Sequence, residues 1–298
     1  MSGKLTEIES RSATARQLDA VIGAMRGIAA ARSREAQQRL PGIRSSAATV
    51  GAAIGAALAH GSGEHARNPE RGAQIVIALC AEQGFVGSFN EQILDHTQSC
   101  VTSAQCELLL VGTRGEIVAA ERHLAFAWNS PAPSHADDVP ALASRITDAL
   151  YTRLAVRGVT HVSVIHAVPG IAARSEIVEH SLMPFDFSRF HVARRSQPPL
   201  LTLPVDHLLA GLVEAYVYVE LCEALMLSFA AENEARVRAM LAARANVKET
   251  INELTQSYRQ VRQDEITADI VELAAGAGQP FDRNDRDPCG PGAPMIAE

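Results

Sequence analysis

Residues 237–261, VRAMLAARANVKETINELTQSYRQV, decide the fold of this chain. Large or apolar side chains recur there at alternating spacings of three and four residues: Val237, Met240, Arg244, Val247, Ile251, Leu254, Tyr258 and Val261. This alternation places them along one side of an α-helix and is typical of the seam of a left-handed coiled coil. A seam of this kind needs a second helix to cover it.

The stretch belongs to the longest segment without glycine or proline, residues 212–275, which is rich in good helix formers. A covering helix is predicted at the N-terminus, where the same rhythm recurs at Ile8, Ala15, Leu18, Ile22, Met25 and Ala29. Pro41 and Gly42 are expected to interrupt it. Residues 1–40 carry seven Lys/Arg against four Asp/Glu, and residues 212–275 carry six against eleven. The opposite net charges favour pairing of the two helices.

The middle of the chain has a different pattern. Short apolar, β-branched runs at 74–80, 107–112 and 161–168 alternate with helical patterns at 90–101, 114–122 and 140–157, and 176–183 is a plausible edge strand. Such alternation predicts a mostly parallel sheet covered by helices. The predicted fold is therefore α/β: a Rossmann-like domain inserted between terminal helices that form a long antiparallel two-helix coiled coil. The predicted segments are an N-terminal helix (1–60), the α/β domain (73–200), a C-terminal helix (208–275) and a disordered tail (276–298).

Composition and charge exclude several classes of protein. The formal charge of −7 argues against a general nucleic-acid binder, because sequence-independent phosphate binding needs a basic surface. No window reaches the ~18 uncharged apolar residues of a membrane span, and no signal peptide is recognisable. The five cysteines form no CxxC pair and are expected to be reduced thiols. We therefore expect a cytosolic or peripherally bound protein.

The sequence shows no autonomous active site. Residues 84–90, GFVGSFN, could hold an anion on backbone N–H groups, but they lack the third glycine of GxGxxG and the lysine of a phosphate loop. A tight turn between strand and helix is the favoured interpretation. His161, His166 and His180, on or near the predicted strands, have no paired Cys or acid at a recognised ligand spacing. We expect no catalytic residue, no metal and no cofactor.

Basic side chains on the two long helices have two interpretations: a solvated helical face, or a surface that docks on an acidic partner. They are Arg32, Arg34, Arg39, Arg236, Arg238, Arg244 and Lys248. The second interpretation gains weight because a two-helix coil exposes more apolar surface than each helix can cover on the other.

Residues 236–277 resemble the C-terminal signature of the gamma subunit of F-type ATP synthases. The matching positions are Arg236, Met240, Ala243, Asn246, Leu254, Tyr258, Arg262, Gln263, Ile266, Thr267, Glu272, Gly276 and Ala277. Residues 24–34 resemble the N-terminal helix motif of the family, and residues 84–90 resemble its glycine-rich turn. The resemblance covers residues 1–277.

The resemblance implies a non-catalytic central-stalk rotor. Its paired helices enter the cavity of the alpha/beta hexamer, and its α/β domain lies beside the epsilon subunit and the membrane c-ring. Rotation couples ion flow to ATP synthesis or hydrolysis on the beta subunits. The complex lies on the cytoplasmic face of a bacterial inner membrane, with this chain as a peripheral component.

By its matched positions, the resemblance also assigns contact residues. Arg262, Gln263 and Thr267 would contact the catch region of beta, and Met25 with Arg26 would face its lever segment. The apolar stripe changes phase after Val261. The bearing would include Ile266, Ile270 and Leu273.

Some positions depart from the family pattern. They are Gly23, Arg26, Arg32, Val86 and Ser88. These departures favour a divergent branch, such as the alternative, sodium-translocating enzymes of some bacteria, although the transported ion is not set by this subunit. Two other interpretations stay open on the residues themselves: a stand-alone α/β nucleotide-binding protein that dimerises through its coiled coil, and a structural tether.

Overall fold

The computed structural model describes residues 2–60, 72–101, 106–170, 176–192 and 200–277. The helices are α1 (Ser2–Leu58), α2 (Phe89–Cys100), α3 (Thr113–Glu121), α4 (Val139–Arg157) and α5 (Val205–Ala277). The strands are β1 (Ala73–Leu79), β2 (Cys106–Val111), β3 (Trp128–Ser130), β4 (Val159–Val168) and β5 (Glu176–Met183). The chain divides into two compact units, one of Met1–Leu18 with Val247–Glu298 and one of Asp19–Asn246.

Within the Asp19–Asn246 unit, α1 and α5 lie antiparallel. The guanidinium of Arg244 donates to the carboxylate of Asp19 at 2.8 and 3.3 Å. Further along α1, Gln37 donates to Glu234 at 2.9 Å, and Arg44 donates to Glu223 at 2.8 Å. As the residue numbers of the contacts increase along α1, those of their partners on α5 decrease. This confirms the predicted antiparallel pair.

One position of the predicted α1 seam is wrong. Leu18 is 49% exposed, and the neighbouring Asp19 is half-buried in its place. Asp19 can occupy an inward position because Arg244 neutralises it from the facing helix. A rule that counts only apolar side chains selects Leu18 and misses this charged pair.

Pro41 does not interrupt α1. The helix continues from Ser2 to Leu58 with Pro41 inside it. A proline within a helix removes one backbone hydrogen bond and costs about 3 kcal/mol. Leu40 and Ile43, on either side, pack in the core shared with α5, and this packing opposes the cost. The expected break was therefore wrong because tertiary contacts outweigh the local propensity.

The inserted domain has the predicted α/β architecture. Its sheet has the order β3-β2-β1-β4-β5. The first four strands are parallel and β5 is antiparallel to β4, so β5 forms one edge. The sequence pattern did not predict β3, which has only three residues and therefore shows no periodicity.

The two faces of the sheet pack against different sets of helices, with α5 contributing to both. On one face, Ile77 of β1 belongs to a core with Ile146 of α4 and Phe229 of α5. On the other face, Val76 of β1 packs with Ile93 of α2. Because α1 and α5 contribute buried side chains to the first of these cores, the coiled coil is part of the cover of the sheet.

In the unit of Met1–Leu18 and Val247–Glu298, burial follows the predicted α5 seam. Leu254 is buried, and Val247, Ile251, Tyr258 and Val261 are half-buried. On α1, Leu5, Ile8 and Ala15 are half-buried at the matching rhythm. Each of the two helix ends therefore has a partly buried stripe at the predicted seam spacing. The predicted disordered tail lies outside the described residues from residue 278 onward.

Candidate partner-binding surfaces

The last turns of α5 form an exposed apolar surface, here called the tip and defined as residues 266–275. Every residue of the tip is exposed. Its large apolar side chains have exposed fractions of 49% at Ile266, 60% at Ile270, 62% at Val271 and 74% at Leu273. A run of exposed large apolar side chains at the end of one helix indicates a surface that another molecule covers.

Of the three residues predicted to contact the catch region, two lie just before the tip and one lies within it. Arg262, Gln263 and Thr267 are all exposed. The Arg262 guanidinium lies 3.4 Å from the Tyr258 hydroxyl, which accepts from it, and the Thr267 hydroxyl donates to the Gln263 carbonyl at 2.8 Å. Both hydrogen bonds join residues four positions apart within α5. They leave the polar ends of Arg262 and Gln263 accessible to a partner.

Met25 and Arg26 are placed differently. Both are half-buried on α1 and belong to the Asp19–Asn246 unit, whereas the other six predicted contact residues belong to the unit of Met1–Leu18 and Val247–Glu298. The predicted contact set is therefore divided between the two compact units.

The glycine-containing turn is fastened to α5 by a buried ion pair. Arg236 donates to Glu232 at 2.6 Å and to the carbonyls of Gln83 and Gly84, each at 3.3 Å. Backbone groups of Glu82 and Gln83 hydrogen-bond to the Glu232 carboxylate. Burial raises the pKa of Glu232, although Arg236 and these backbone bonds oppose the rise. The turn thus serves as an attachment between the sheet and α5.

Close packing does not explain the two glycines of the turn. A side chain added at Gly84 or Gly87 would meet nothing within 4 Å among the described residues, so close packing does not require either glycine. Gly87 has φ +61°, a left-handed conformation that favours glycine. Asn90 completes the turn, because its Oδ1 accepts from the Ala81 N–H at 2.8 Å. The residues of the turn bind other parts of this chain, which favours the structural interpretation.

The docking interpretation of the basic side chains is wrong at Arg236, and two other positions already have carboxylate partners in this chain. Arg236 is buried, Arg244 pairs with Asp19, and Arg39 pairs with Glu35 and Asp137. These guanidiniums neutralise carboxylates of this chain. Sequence reasoning missed this because the turn that Arg236 contacts and the Asp19 that Arg244 contacts lie more than 150 residues away.

The structure also brings together one group that sequence reasoning did not select. His96 and Cys100 on α2 lie close to Glu179 on β5. The spacing of four between His96 and Cys100 is visible in the sequence, since it places both on one face of a helix. Glu179, the third residue, comes close only because α2 packs against β5, so no local sequence pattern indicates it.

A family model described as ATP synthase matches residues 4–278 of this chain. The chain belongs to the ATP synthase gamma family. Among curated relatives, an ATP synthase gamma chain from Frankia casuarinae is 28% identical over 300 residues, which cover 93% of this chain and 98% of the relative. One from Bdellovibrio bacteriovorus is 22% identical over 288 residues, covering 92% and 97%.

Solved structures show the same fold in this family. A chain of the Euglena gracilis mitochondrial ATP synthase, solved with OSCP, F1 and the c-ring, matches with a TM-score of 0.66 and 11% identity. The match covers 96% of this chain and all of that one. The central helices and inserted α/β domain are therefore the family fold, retained at low sequence identity.

None of the described helices combines the length and apolar character that crossing a membrane requires.

A cavity of about 320 Å³ with both apolar and polar lining residues lies beside β4 and β5. Glu220 of α5 accepts from Arg189 at 2.5 Å and lies 3.3 Å from His180 Nε2. Burial lowers the pKa of His166 to about 4; the nearby His180 also lowers it, and a backbone bond to Val164 opposes the shift. His166 is therefore held neutral inside the fold at neutral pH.

Proposed function

We propose that this chain is the central-stalk rotor subunit of an F-type ATP synthase. In this role it couples ion movement through a membrane c-ring to ATP synthesis or hydrolysis on the beta subunits. Its partners are the alpha and beta subunits of the catalytic hexamer, the epsilon subunit and the c-ring. The family membership and the naming of the curated relatives as gamma chains support this proposal.

The observation that carries the proposal is that the side chains of α5 change from buried to exposed along the helix. From Val247 to Val261 the seam residues are buried or half-buried, and from Ile266 to Ala275 every residue is exposed. A helix that ends in exposed Ile, Val and Leu is unfavourable in water unless another protein covers it. A bearing formed by the alpha and beta subunits is such a cover, with Ile266, Ile270 and Leu273 as its contacts.

The packing of the coil suits the transmission of torque. In the Asp19–Asn246 unit, α1 and α5 share one buried core with the sheet and α4. The Glu232–Arg236 pair adds polar attachments between α5 and the turn after β1. Close-packed interiors deform little under load, so a twist applied to the α/β domain reaches the coil.

The chain acts without an active site of its own. Met25, Arg26, Arg262, Gln263 and Thr267 contact beta, and an eccentric coil biases three chemically identical beta sites into different states. Chemistry takes place on beta. The chain is a peripheral component of the complex on the cytoplasmic face of the bacterial inner membrane.

Co-expression with the alpha and beta subunits of the same organism tests the proposal. We expect a complex with one copy of this chain per alpha/beta hexamer, measured by native mass spectrometry. A matched variant with Ile266, Ile270 and Leu273 all changed to Ser tests the tip, and we expect its complex to dissociate more readily. Isolation of the hexamer without this chain, under conditions where this chain is folded, would refute the rotor role.

A further inference from the structure

Three metal-binding side chains lie together where α2 packs against the edge strand β5. His96 and Cys100 project from the same face of α2, since they are four residues apart. Glu179 comes from β5, 79 positions after Cys100. The potential ligand atoms of the three side chains all lie within 4.8 Å of one another.

Two of the ligand separations are close to those of a small tetrahedral site. The Cys100 thiol donates to Glu179 Oε2 at 3.4 Å, and His96 Nε2 lies 3.9 Å from the same oxygen. With Zn–N and Zn–O near 2.0–2.2 Å and Zn–S near 2.3 Å, neighbouring ligand atoms in a tetrahedral zinc site are about 3.3–3.6 Å apart. The two measured separations therefore need only small side-chain rotations to accommodate an ion.

The nitrogen of His96 is a second, independent observation. Its Nε2 atom is covered from solvent and has no hydrogen-bond partner in the part of the chain that the structure describes. A covered imidazole nitrogen without a partner is costly. It lies beside the Cys100 and Glu179 ligand atoms, so a metal ion bound there would give this nitrogen the partner that it lacks.

We propose that His96, Cys100 and Glu179 bind a Zn²⁺ ion. The mixed nitrogen, sulfur and oxygen ligands suit zinc, whereas Ca²⁺ and Mg²⁺ require oxygen ligands. Glu179 is exposed, so the fourth position faces solvent and is filled by water.

Binding releases one proton, because Cys100 ligates as a thiolate. Burial raises the pKa of the Cys100 thiol, and the Glu179 carboxylate raises it further. The thiol is therefore protonated in the metal-free protein, and its proton passes to the buffer when Zn²⁺ binds.

The bound ion has a structural role. It joins α2 to β5, the antiparallel edge of the sheet. A ligand that binds only the folded state stabilises it, and edge strands are the part of a sheet most exposed to unwanted pairing. The site is independent of the rotor function proposed above, since its residues are not among the predicted contacts of the beta subunit.

Titration of the purified, reduced full chain with Co²⁺ tests the site. We expect a thiolate-to-Co²⁺ charge-transfer band in the near ultraviolet and d–d bands with the intensity of four-coordinate cobalt. Zn²⁺ should abolish both by displacement. Cys100→Ser should remove the charge-transfer band, and Cys100→Ser, His96→Ala and Glu179→Gln should each weaken Zn²⁺ binding, by about 10-fold or more.

Cys106→Ser is the matched control, since Cys106 is another half-buried thiol of the same unit. It should retain the band and bind Zn²⁺ with nearly unchanged affinity. Circular dichroism of each variant shows whether it is folded, and Glu179→Gln changes an exposed residue. A band that persists in Cys100→Ser, or Zn²⁺ affinity unaffected by Glu179→Gln and His96→Ala, would overturn the proposal.

Discussion

Two parts of α5 use the same helical backbone in opposite ways. Where it crosses the sheet, between Leu221 and Arg236, most of its residues are buried, including the charged pair Glu232 and Arg236. In the tip, every residue is exposed, including large apolar ones. Polar character therefore does not predict exposure along this helix. Exposure depends instead on what packs around each turn of the helix. We therefore expect the buried part and the tip to respond differently to mutation.

Loss of Glu232 should have the largest effect on stability. Glu232→Ala leaves the Arg236 guanidinium buried without its carboxylate, and we expect a loss of about 3–5 kcal/mol in the free energy of unfolding. Arg236→Ala should cost less, because a buried carboxyl group can take up a proton and a guanidinium cannot lose one. Denaturant unfolding of both variants measures the difference. Glu253→Ala, at an exposed position of α5, is the control.

A matched pair of leucines compares the two parts directly. Leu225 is buried in the core beside the sheet, and Leu273 is in the tip. Leu225→Ala should cost about 2–5 kcal/mol, because it leaves a cavity. Leu273→Ala should change the stability of the isolated chain by less than about 0.5 kcal/mol. Equal losses in thermal or denaturant unfolding would contradict the assignment of the tip as an uncovered surface.

Stability should fall as the pH falls from about 6.5 to about 4. The pKa of His166 is about 4 in the folded chain, against 6.5 for an ordinary histidine, so the unfolded chain binds a proton that the folded chain does not. At the lower end of this window the loss reaches about 3 kcal/mol. His166→Asn should reduce the slope of unfolding free energy against pH. His161→Asn, an exposed substitution on the same strand, is the comparison variant.

The smallest effect on stability is expected at the predicted beta contacts. Arg262→Ala combined with Gln263→Ala should leave the unfolding free energy of the chain nearly unchanged, because both side chains are exposed. The ATPase rate of the assembled complex should fall severalfold. Thr255→Ala, on the preceding turns of α5, is the variant with which the unfolding free energy and the ATPase rate are compared. Unchanged turnover of the double variant would refute the predicted contacts.

The seam from Val237 to Val261 was predictable because burial on a helix follows a period that local sequence records. The alternating strands were predictable for the same reason. The predictions at Leu18 and Pro41 were wrong. The exposure of Leu18 depends on Arg244, and the continuity of α1 at Pro41 depends on core packing; both involve residues distant in sequence. The same applies to the proposed zinc site: His96 and Cys100 show their helical spacing, but Glu179 reaches them only through the fold.

The Asp19–Arg244 pair also constrains how α1 can align with α5. Asp19 and Arg26 occupy equivalent positions of the seven-residue repeat in α1, and Arg26 is half-buried. A slide of α1 by one repeat in one direction would bring Arg26 to the level of Arg244, where two like charges would meet. A slide in the other direction would replace Asp19 by Ser12 and leave Arg244 without its carboxylate. Misaligned coils are therefore less stable than the native one, and folding selects a single alignment of the two helices.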